Sequence, residues 1–555
     1  MIQQSALILT AGLVFLFFFT TGYGNAPVIS QPITMLMLCA FITVPAILIY
    51  LLGRMTFWRV TRKFDNPILL SRFFPLYSLL SGMLALGGFI AQVYYLQTPV
   101  LISKILTFFS FENTRTFLCI ISLVIAMTLN RLAMLKLHCL IQDDQVTFGN
   151  YVLPDLKMMF LPSIPFLASL LISDLIDHSP LNVRIFFITH YYLYWLIVLS
   201  IAMIMFIKSP FFISHIWKTK RLQQGEILNR IESFAKREGL RYKTALVWNM
   251  GGRNIANAGM AGLLPGSRSV FLTDSLLHNL DADEIEAIIA HEFGHIKYMH
   301  IPAYVLFSFG YLVFFSFIYT LFLPITENIS LGDSTSALLG ALTTIIIFCV
   351  YFIFIFRYFS RKFERQADLY AISTTGNPEA FKRALFKVAS INRMPLQNSR
   401  FGKIFRTHPS IYERLLFVDK AVAGNQKVLR YNQPLFDIRK ATVVLIIAML
   451  ALWVTGKNSL FPPSDLHYEI GRQYAVEGMF DNAIAEFHRV ISIDPKSDGA
   501  FYALGLIYTK KGEVKEAEIE FKKALEINPK NTMALEQLKQ IQKNAQKTTK
   551  PSRPN

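Results

Sequence analysis

Two histidines four residues apart, His291 and His295, have a glutamate, Glu292, beside the first. On a helix, residues four apart lie on one face, so both imidazoles can reach a single metal ion. Glu292 then stands where a general base for peptide hydrolysis is needed. Two histidines do not make a catalytic zinc site: a third protein ligand is required, with the fourth position left for water. A third histidine further along the same motif is excluded. Tyr298 and Ile301 occupy the places where that form carries Gly and His, and His300 is one step out of register. His300 and His278 read as interfacial residues rather than ligands. The remaining source is a glutamate on a later helix. In 360–368, Glu364 and Asp368 are four apart and share a face. Glu364 can bind the metal while Asp368 accepts a hydrogen bond from a ligating imidazole. Both acids can equally serve only to neutralise Arg361, Lys362 and Arg365 on a solvated helix.

These residues need elements to hold them. Around 227–239, Ile227, Leu228, Ile231 and Phe234 fall on one helical face, and 245–248 reads as a short strand. Residues 257–264 and 269–273, joined by Pro265 and Gly266, read as a hairpin. Asp281 followed by Glu284 forms a capping box, so a helix starts there and runs to about Met299. The two histidines therefore lie on a helix with a proper start.

The surroundings are apolar. Of 555 residues, 53% are hydrophobic and 48 are Phe, and the mean hydropathy is +0.40, values that point to a bilayer. Candidate spans are about 5–22, 33–52, 73–96, 113–130, 158–175, 185–207, 301–325, 335–356 and 441–456. The net charge of +18 flanks these spans rather than forming a nucleic-acid patch, so no nucleic-acid partner is expected. Arg54, Arg59, Arg62, Lys63 and Arg72 follow the second span, and no charge precedes Gly53. The positive-inside rule then puts 54–72 in the cytosol, and parity does the same for 208–300 and 357–440. Cys39, Cys119, Cys139 and Cys349 form no C-x-x-C pair, so neither a disulfide framework nor a thiolate metal site is indicated.

Beyond the last span, a 34-residue period appears. Gly471, Tyr474, Gly478, Ala483, Phe487 and Pro495 recur as Gly505, Tyr508, Gly512, Ala517, Phe521 and Pro529. This is the tetratricopeptide spacing, with a partial third unit around Leu535 and Leu538 to cap it, and a protein partner is the expected ligand.

The order of these motifs is similar to the integral-membrane zinc peptidases of the HtpX and CAAX prenyl protease type. The resemblance runs from Asn257 and Ala258 through Pro265 and Gly266, then His291 to His295, then Ser360, Arg361, Glu364, Ala367 and Asp368, then Thr407, His408 and Pro409. It covers roughly 220–420 and implies a gluzincin with one zinc ion per chain on His291, His295 and Glu364, Glu292 as base and Asp368 behind a ligand. It further implies that Asn257 and Arg414 line the substrate and that His408 assists catalysis near the scissile carbonyl. Relatives of the HtpX type have about four spans, and this chain carries more membrane sequence and adds the repeats.

The expected fold class is mainly α: a multi-span helical membrane protein with a zincin-like α+β catalytic domain and a C-terminal tetratricopeptide α-solenoid. The expected organisation is a transmembrane region over 1–207 with about six spans and cytosolic peptidase parts at 208–300 and 357–440. A transmembrane hairpin at 301–356 separates those parts. A last span at 441–456, repeats at 464–545 and a disordered tail at 546–555 follow. The expected function is zinc-dependent endoproteolysis of membrane-associated or misfolded membrane proteins at the cytosolic face of a bacterial inner membrane, with the repeats in the periplasm. The competing reading is a membrane-anchored tetratricopeptide adaptor with a vestigial metal site. A transporter is disfavoured, because His190 and scattered prolines are too few polar breaks in mid-span.

Overall fold

The computed structural model describes residues 31–63, 67–96, 118–142, 164–250, 254–327, 333–397, 408–433 and 463–548, with isolated residues of 98, 149–157 and 440–448. The expected spans at 5–22 and, for the most part, 441–456 lie outside the described residues. The chain divides into two units, residues 1–171 with 200–445 and residues 172–199 with 446–555.

The first helices are long and apolar. Helices α1 (Gln31–Lys63), α2 (Pro67–Tyr95) and α3 (Ile120–Gln142) pack together through Ala85, Phe89, Val93, Ile120 and Leu123. Buried Asn130 ties α3 to α2 by donating from Nδ2 to the Ser81 carbonyl, 2.7 Å away. In an apolar bundle that bond satisfies a group with no water to turn to. The 33 residues of α1 rise about 50 Å, well beyond the roughly 30 Å of hydrocarbon. The residues expected as a loop at 54–72 are thus mostly helical, since Arg and Lys are good helix formers and Pro67 sits at a helix start.

Of the span expected at 158–175, the described part is helix α4 (Ile164–Asp177), 14 residues that rise about 21 Å. The span at 185–207 is broken at His190 into α5 (Leu181–Thr189) and α6 (Tyr191–Ile216), with His190 at φ −120° and ψ 45°. Hydropathy alone cannot mark such a backbone break. Among the described residues, three helices are long and apolar enough to cross a membrane: Leu36–Met55, Tyr191–Ile216 and Leu342–Thr375.

The α+β part begins after α6. Strand β1 (Lys220–Arg221) pairs antiparallel with β2 (Thr244–Trp248), with helix α7 (Glu226–Arg237) between them in the chain. Strand β3 (Ala258–Ala261) is antiparallel to β4 (Ser269–Thr273), as the hairpin pattern predicts. Strand β4 also runs parallel to β2. The order β1-β2-β4-β3 leaves β3 as an edge strand. Gly262, at φ +111°, makes the turn possible: a Cβ there would lie 2.8 Å from the Arg268 Cα. Trp217, just past α6, stacks on Trp248 of β2 at 3.5 Å and 2°.

Helices α8 (Asp274–Asn279) and α9 (Ala282–Lys297) follow. The Asp281–Glu284 capping box is present, with its two bonds at 2.9 and 3.0 Å. Phe293, Ile285 and Ile289 of α9 are buried with Phe234 and Leu369 in the core of this region. The chain continues as α10 (His300–Glu327) and α11 (Asp333–Val350), then a π-helical turn over Tyr351–Phe356 leads into α12 (Arg357–Thr375). The Tyr351 hydroxyl donates to the Phe307 carbonyl at 2.8 Å, tying the π-turn to α10. Helices α13 (Pro378–Ile391) and α14 (Ile411–Val422) close the core.

The second unit contains α15 (Pro463–Val476), α16 (Phe480–Ile493), α17 (Asp498–Lys511), α18 (Val514–Ile527) and α19 (Thr532–Thr548). The recurring small residues explain the pairing: a Cβ on Gly505 would lie 2.6 Å from the Phe521 ring, and one on Gly471 would lie 3.2 Å from Phe487. Gly478 and Gly512, at φ +74° and +81°, end the first helix of each pair. Helix α19 continues to Thr548, past the expected start of a disordered tail at 546. Within this unit α15 packs on α5, where buried Arg184 is ion-paired with Glu477.

Candidate active site

Helix α9 presents His291 and His295 to α12, which presents Glu364 and Asp368. The close crossing of the two helices depends on Gly294. A Cβ there would sit 3.0 Å from the Ala367 Cα, 3.2 Å from a Tyr370 ring carbon and 3.3 Å from the Ala367 Cβ. A glycine facing an alanine brings the ligand-bearing faces within bonding range.

His291, His295 and Glu364 each turn one ligand atom toward a common point, all within 4.8 Å of one another. The two Nε2 atoms are 3.3 Å apart. Glu364 Oε2 lies 3.6 Å from His291 Nε2, and Oε1 lies 3.7 Å from His295 Nε2. Two nitrogens each about 2.05 Å from a tetrahedral zinc ion stand about 3.3 Å apart. The donor set of two imidazoles and one carboxylate, with that spacing, fits a three-ligand zinc site. Glu364 is 3% exposed, so the alternative of a solvated charge-balancing helix does not describe it.

The far sides of these side chains are bonded as well. His291 Nδ1 lies 2.9 Å from Asp368 Oδ1. Asp368 is fully buried and in turn receives both Nε (3.0 Å) and a terminal nitrogen (2.6 Å) of Arg414. Arg414, expected at the substrate, is thus held by Asp368 while still bordering the cleft.

His295 has a partner the sequence did not suggest. His300, read as interfacial, is fully buried, and its Nδ1 lies 2.9 Å from His295 Nδ1. It reaches inward because Met299 adopts a left-handed φ of 57° at the joint of α9 and α10. No periodicity rule signals a partner across such a joint. His278, by contrast, is exposed on α8.

Glu292 lines a cleft of about 710 Å³ together with His291, His295, Glu364 and His408. Burial pushes its carboxyl up to about 7, against the pull of His291. A bound cation would draw it down again. His408, its side chain 58% exposed, places Nδ1 2.9 Å from Glu364 Oε1. That carboxylate, outweighing burial, holds the imidazole above its usual pKa.

Asn257 through Met260 of the edge strand form one wall of the cleft. Asn257 is bonded by its own backbone to Thr273, at 2.9 Å to Oγ1 and 3.0 Å to the backbone nitrogen. Asn392, not anticipated from sequence, clamps the entry to this strand. Its side chain accepts from Ala256 N at 2.9 Å and donates to Ala256 O at 2.8 Å.

Several known proteins are similar to parts of this chain. Residues 221–422 match Peptidase family M48. This segment is similar to the M48 metallopeptidase domain. A Protease HtpX homolog of Aeropyrum pernix is 27% identical over 275 residues, covering 40% of this chain and 84% of that protein. A CAAX prenyl protease 1 homolog of Dictyostelium discoideum is 26% identical over 241 residues, covering 41% of this chain; the chain spans about half of that relative, 55%. The crystal structure of S. mikatae Ste24p aligns with a TM-score of 0.42 and 21% identity, over 71% of this chain and 100% of that one. Residues 499–531 match the tetratricopeptide repeat. The M48 domain thus contains the whole His291, His295, Glu364 cluster, and the repeats lie outside it.

Proposed function

We propose that the chain is a zinc-dependent endopeptidase of membrane-associated or misfolded membrane proteins, acting at the cytosolic face of a bacterial inner membrane. The observation that carries this reading is the convergence of two imidazole nitrogens and one buried carboxylate beside Glu292, at spacings a tetrahedral zinc requires. When bound there, zinc polarises a carbonyl and lowers the pKa of water toward about 7.

The chain's own groups supply the rest. Glu292 accepts the proton of the attacking water and returns it to the leaving amine, the two halves of general acid–base catalysis. His408, whose pKa is raised by its contact with Glu364, is placed to donate to the carbonyl oxygen as negative charge develops on it. The free edge of β3 receives the substrate as an added strand, which stretches the scissile bond across the centre. Asn257 lies on that wall and Arg414 on the cleft border.

The position of the cleft supports the substrate class. The cleft is bordered by Ile301, Tyr304 and Phe356 at the ends of the membrane hairpin, and by Phe381, Leu385 and Val388 of α13. An apolar segment emerging from the bilayer meets such walls first. The basic residues after the second span, together with span parity, support a cytosolic face for the M48 domain. The repeats belong on the other face, the periplasm, where they would bind a protein partner.

The test is detergent-purified protein, wild type against Glu292→Gln. Both should hold about one zinc per chain, and only the wild type should cleave an unfolded membrane substrate, with a loss of at least about 100-fold in the variant. Equal cleavage by the two would remove Glu292 from the chemistry, and zinc in neither would favour the adaptor reading.

A further inference from the structure

His295 donates no bond to a carboxylate, unlike His291, and the group behind it is another imidazole. His300 is held in one orientation. Its ring stacks on Phe363 at 4.2 Å and 15°, and its other nitrogen, Nε2, lies 2.8 Å from Gln366 Oε1. Gln366, 1% exposed, lies two residues after Glu364, and its Nε2 donates to the Gln433 carbonyl at 2.6 Å.

With both imidazoles neutral, this chain of bonds has one consistent set of protons. The Gln433 carbonyl can only accept, so the amide nitrogen of Gln366 must face it. Gln366 then offers its oxygen to His300, which must carry its proton on Nε2. His300 Nδ1 is left as a lone pair, and the atom it faces, His295 Nδ1, must be the donor. His295 consequently has a bare Nε2, and that is the atom standing 3.3 Å from His291 Nε2 at the convergence point. A backbone carbonyl three groups away thus fixes which nitrogen of His295 is free to bind a metal.

We propose that His300 is a positioning residue for the zinc ligand His295, setting its tautomer and ring orientation through a neutral relay anchored by Gln366 on Gln433. The proposal rests on the zinc reading above. It also distinguishes the two ligands. His291 is backed by an anion already neutralised by Arg414, and His295 by an uncharged group, so the buried site gains no further negative charge behind the metal. Polar support of this kind usually changes metal affinity by about 10–100-fold.

The experiment compares zinc affinity of the full-length chain in detergent, by competition with a chromophoric chelator, for wild type, His300→Phe, Gln366→Leu and the double variant. Phe keeps the ring stack on Phe363 and removes both nitrogens. His300→Phe should bind zinc about 10–100-fold more weakly, and Gln366→Leu should shift affinity less in the same direction. The double variant should be no weaker than His300→Phe, because Gln366 acts only through His300. The visible spectrum of cobalt(II)-loaded protein should change in His300→Phe as the His295 ring is released. Should His300→Phe fail to fold, the Gln366→Leu affinity and cobalt spectrum decide instead. Zinc affinity within twofold of wild type and an unchanged spectrum in a folded variant would overturn the relay. Absence of zinc from the wild type would overturn the zinc reading and the relay with it, so the two failures are distinguishable.

Discussion

Gly294→Ala adds one methyl group at the crossing of α9 and α12, and its effect on the metal centre should exceed its effect on stability. The new carbon would start 3.0 Å from the Ala367 Cα, which is backbone and cannot rotate away. Carbon atoms settle at about 3.5–4.0 Å, so α12 must retreat by about half an ångström. Two costs then diverge. Overpacking of this size costs about 1–3 kcal/mol, but alanine in place of glycine within a helix returns about 1 kcal/mol. Net stability should therefore fall by no more than about 2 kcal/mol. Metal–ligand distances tolerate only about 0.2 Å, and Glu364 rides on the helix that moves. Zinc affinity should fall at least about 10-fold, which is 1.4 kcal/mol on the binding step alone. The assay is zinc competition beside thermal unfolding in excess chelator, which isolates the metal-free fold. Zinc affinity within twofold of wild type would refute the claim that this glycine sets the ligand spacing.

Asp368→Asn leaves Arg414 without a counterion at a site only 12% exposed, and should destabilise the M48 domain by about 3–5 kcal/mol. Adding Arg414→Met should restore much of the melting temperature without restoring zinc affinity. Gly505→Ala forces a methyl against the Phe521 ring and should cost the repeats about 1–3 kcal/mol, read by hydrogen exchange over 498–527, with zinc affinity unchanged. Zinc removal should lower the melting temperature of the M48 domain, by an amount that grows with the free zinc used for comparison; a melting point indifferent to zinc would argue against a preformed site.

The grouping of His291 with His295 and of Glu364 with Asp368 was legible because helical spacing places residues four apart on one face. The start of α9 was legible from Asp281 and Glu284, and the repeats from a 34-residue period whose glycines face aromatic rings. What escaped depends on contacts rather than period. His300 turns inward because of a left-handed Met299, Asn392 reaches Ala256 at the entry to the edge strand from the end of α13, and β2 finds β4 in parallel across the intervening strand β3. Spans were the least legible. An apolar run marks affinity for lipid, but it cannot show that a helix breaks at His190 or that α1 continues to Lys63.

The π-helical turn at Tyr351–Phe356 sets a limit on how the sequence could change. A π-turn accommodates one residue more than an α-helix would over the same stretch, and each α-helical residue advances the face by about 100°. Glu364 lies eight residues beyond its end. Deleting a single residue from this turn would let the helix relax to a regular α form with Glu364 still on the His291 face, whereas the same deletion in the regular helix between Arg357 and Phe363 would swing Glu364 and Asp368 together by about a quarter of a revolution, off that face. Chain length between the π-turn and Glu364 is then not free to drift by small steps. Substitutions can accumulate in this stretch, but an insertion or deletion of one residue is penalised at a distance, through the angle of a helix rather than through any residue at the cleft.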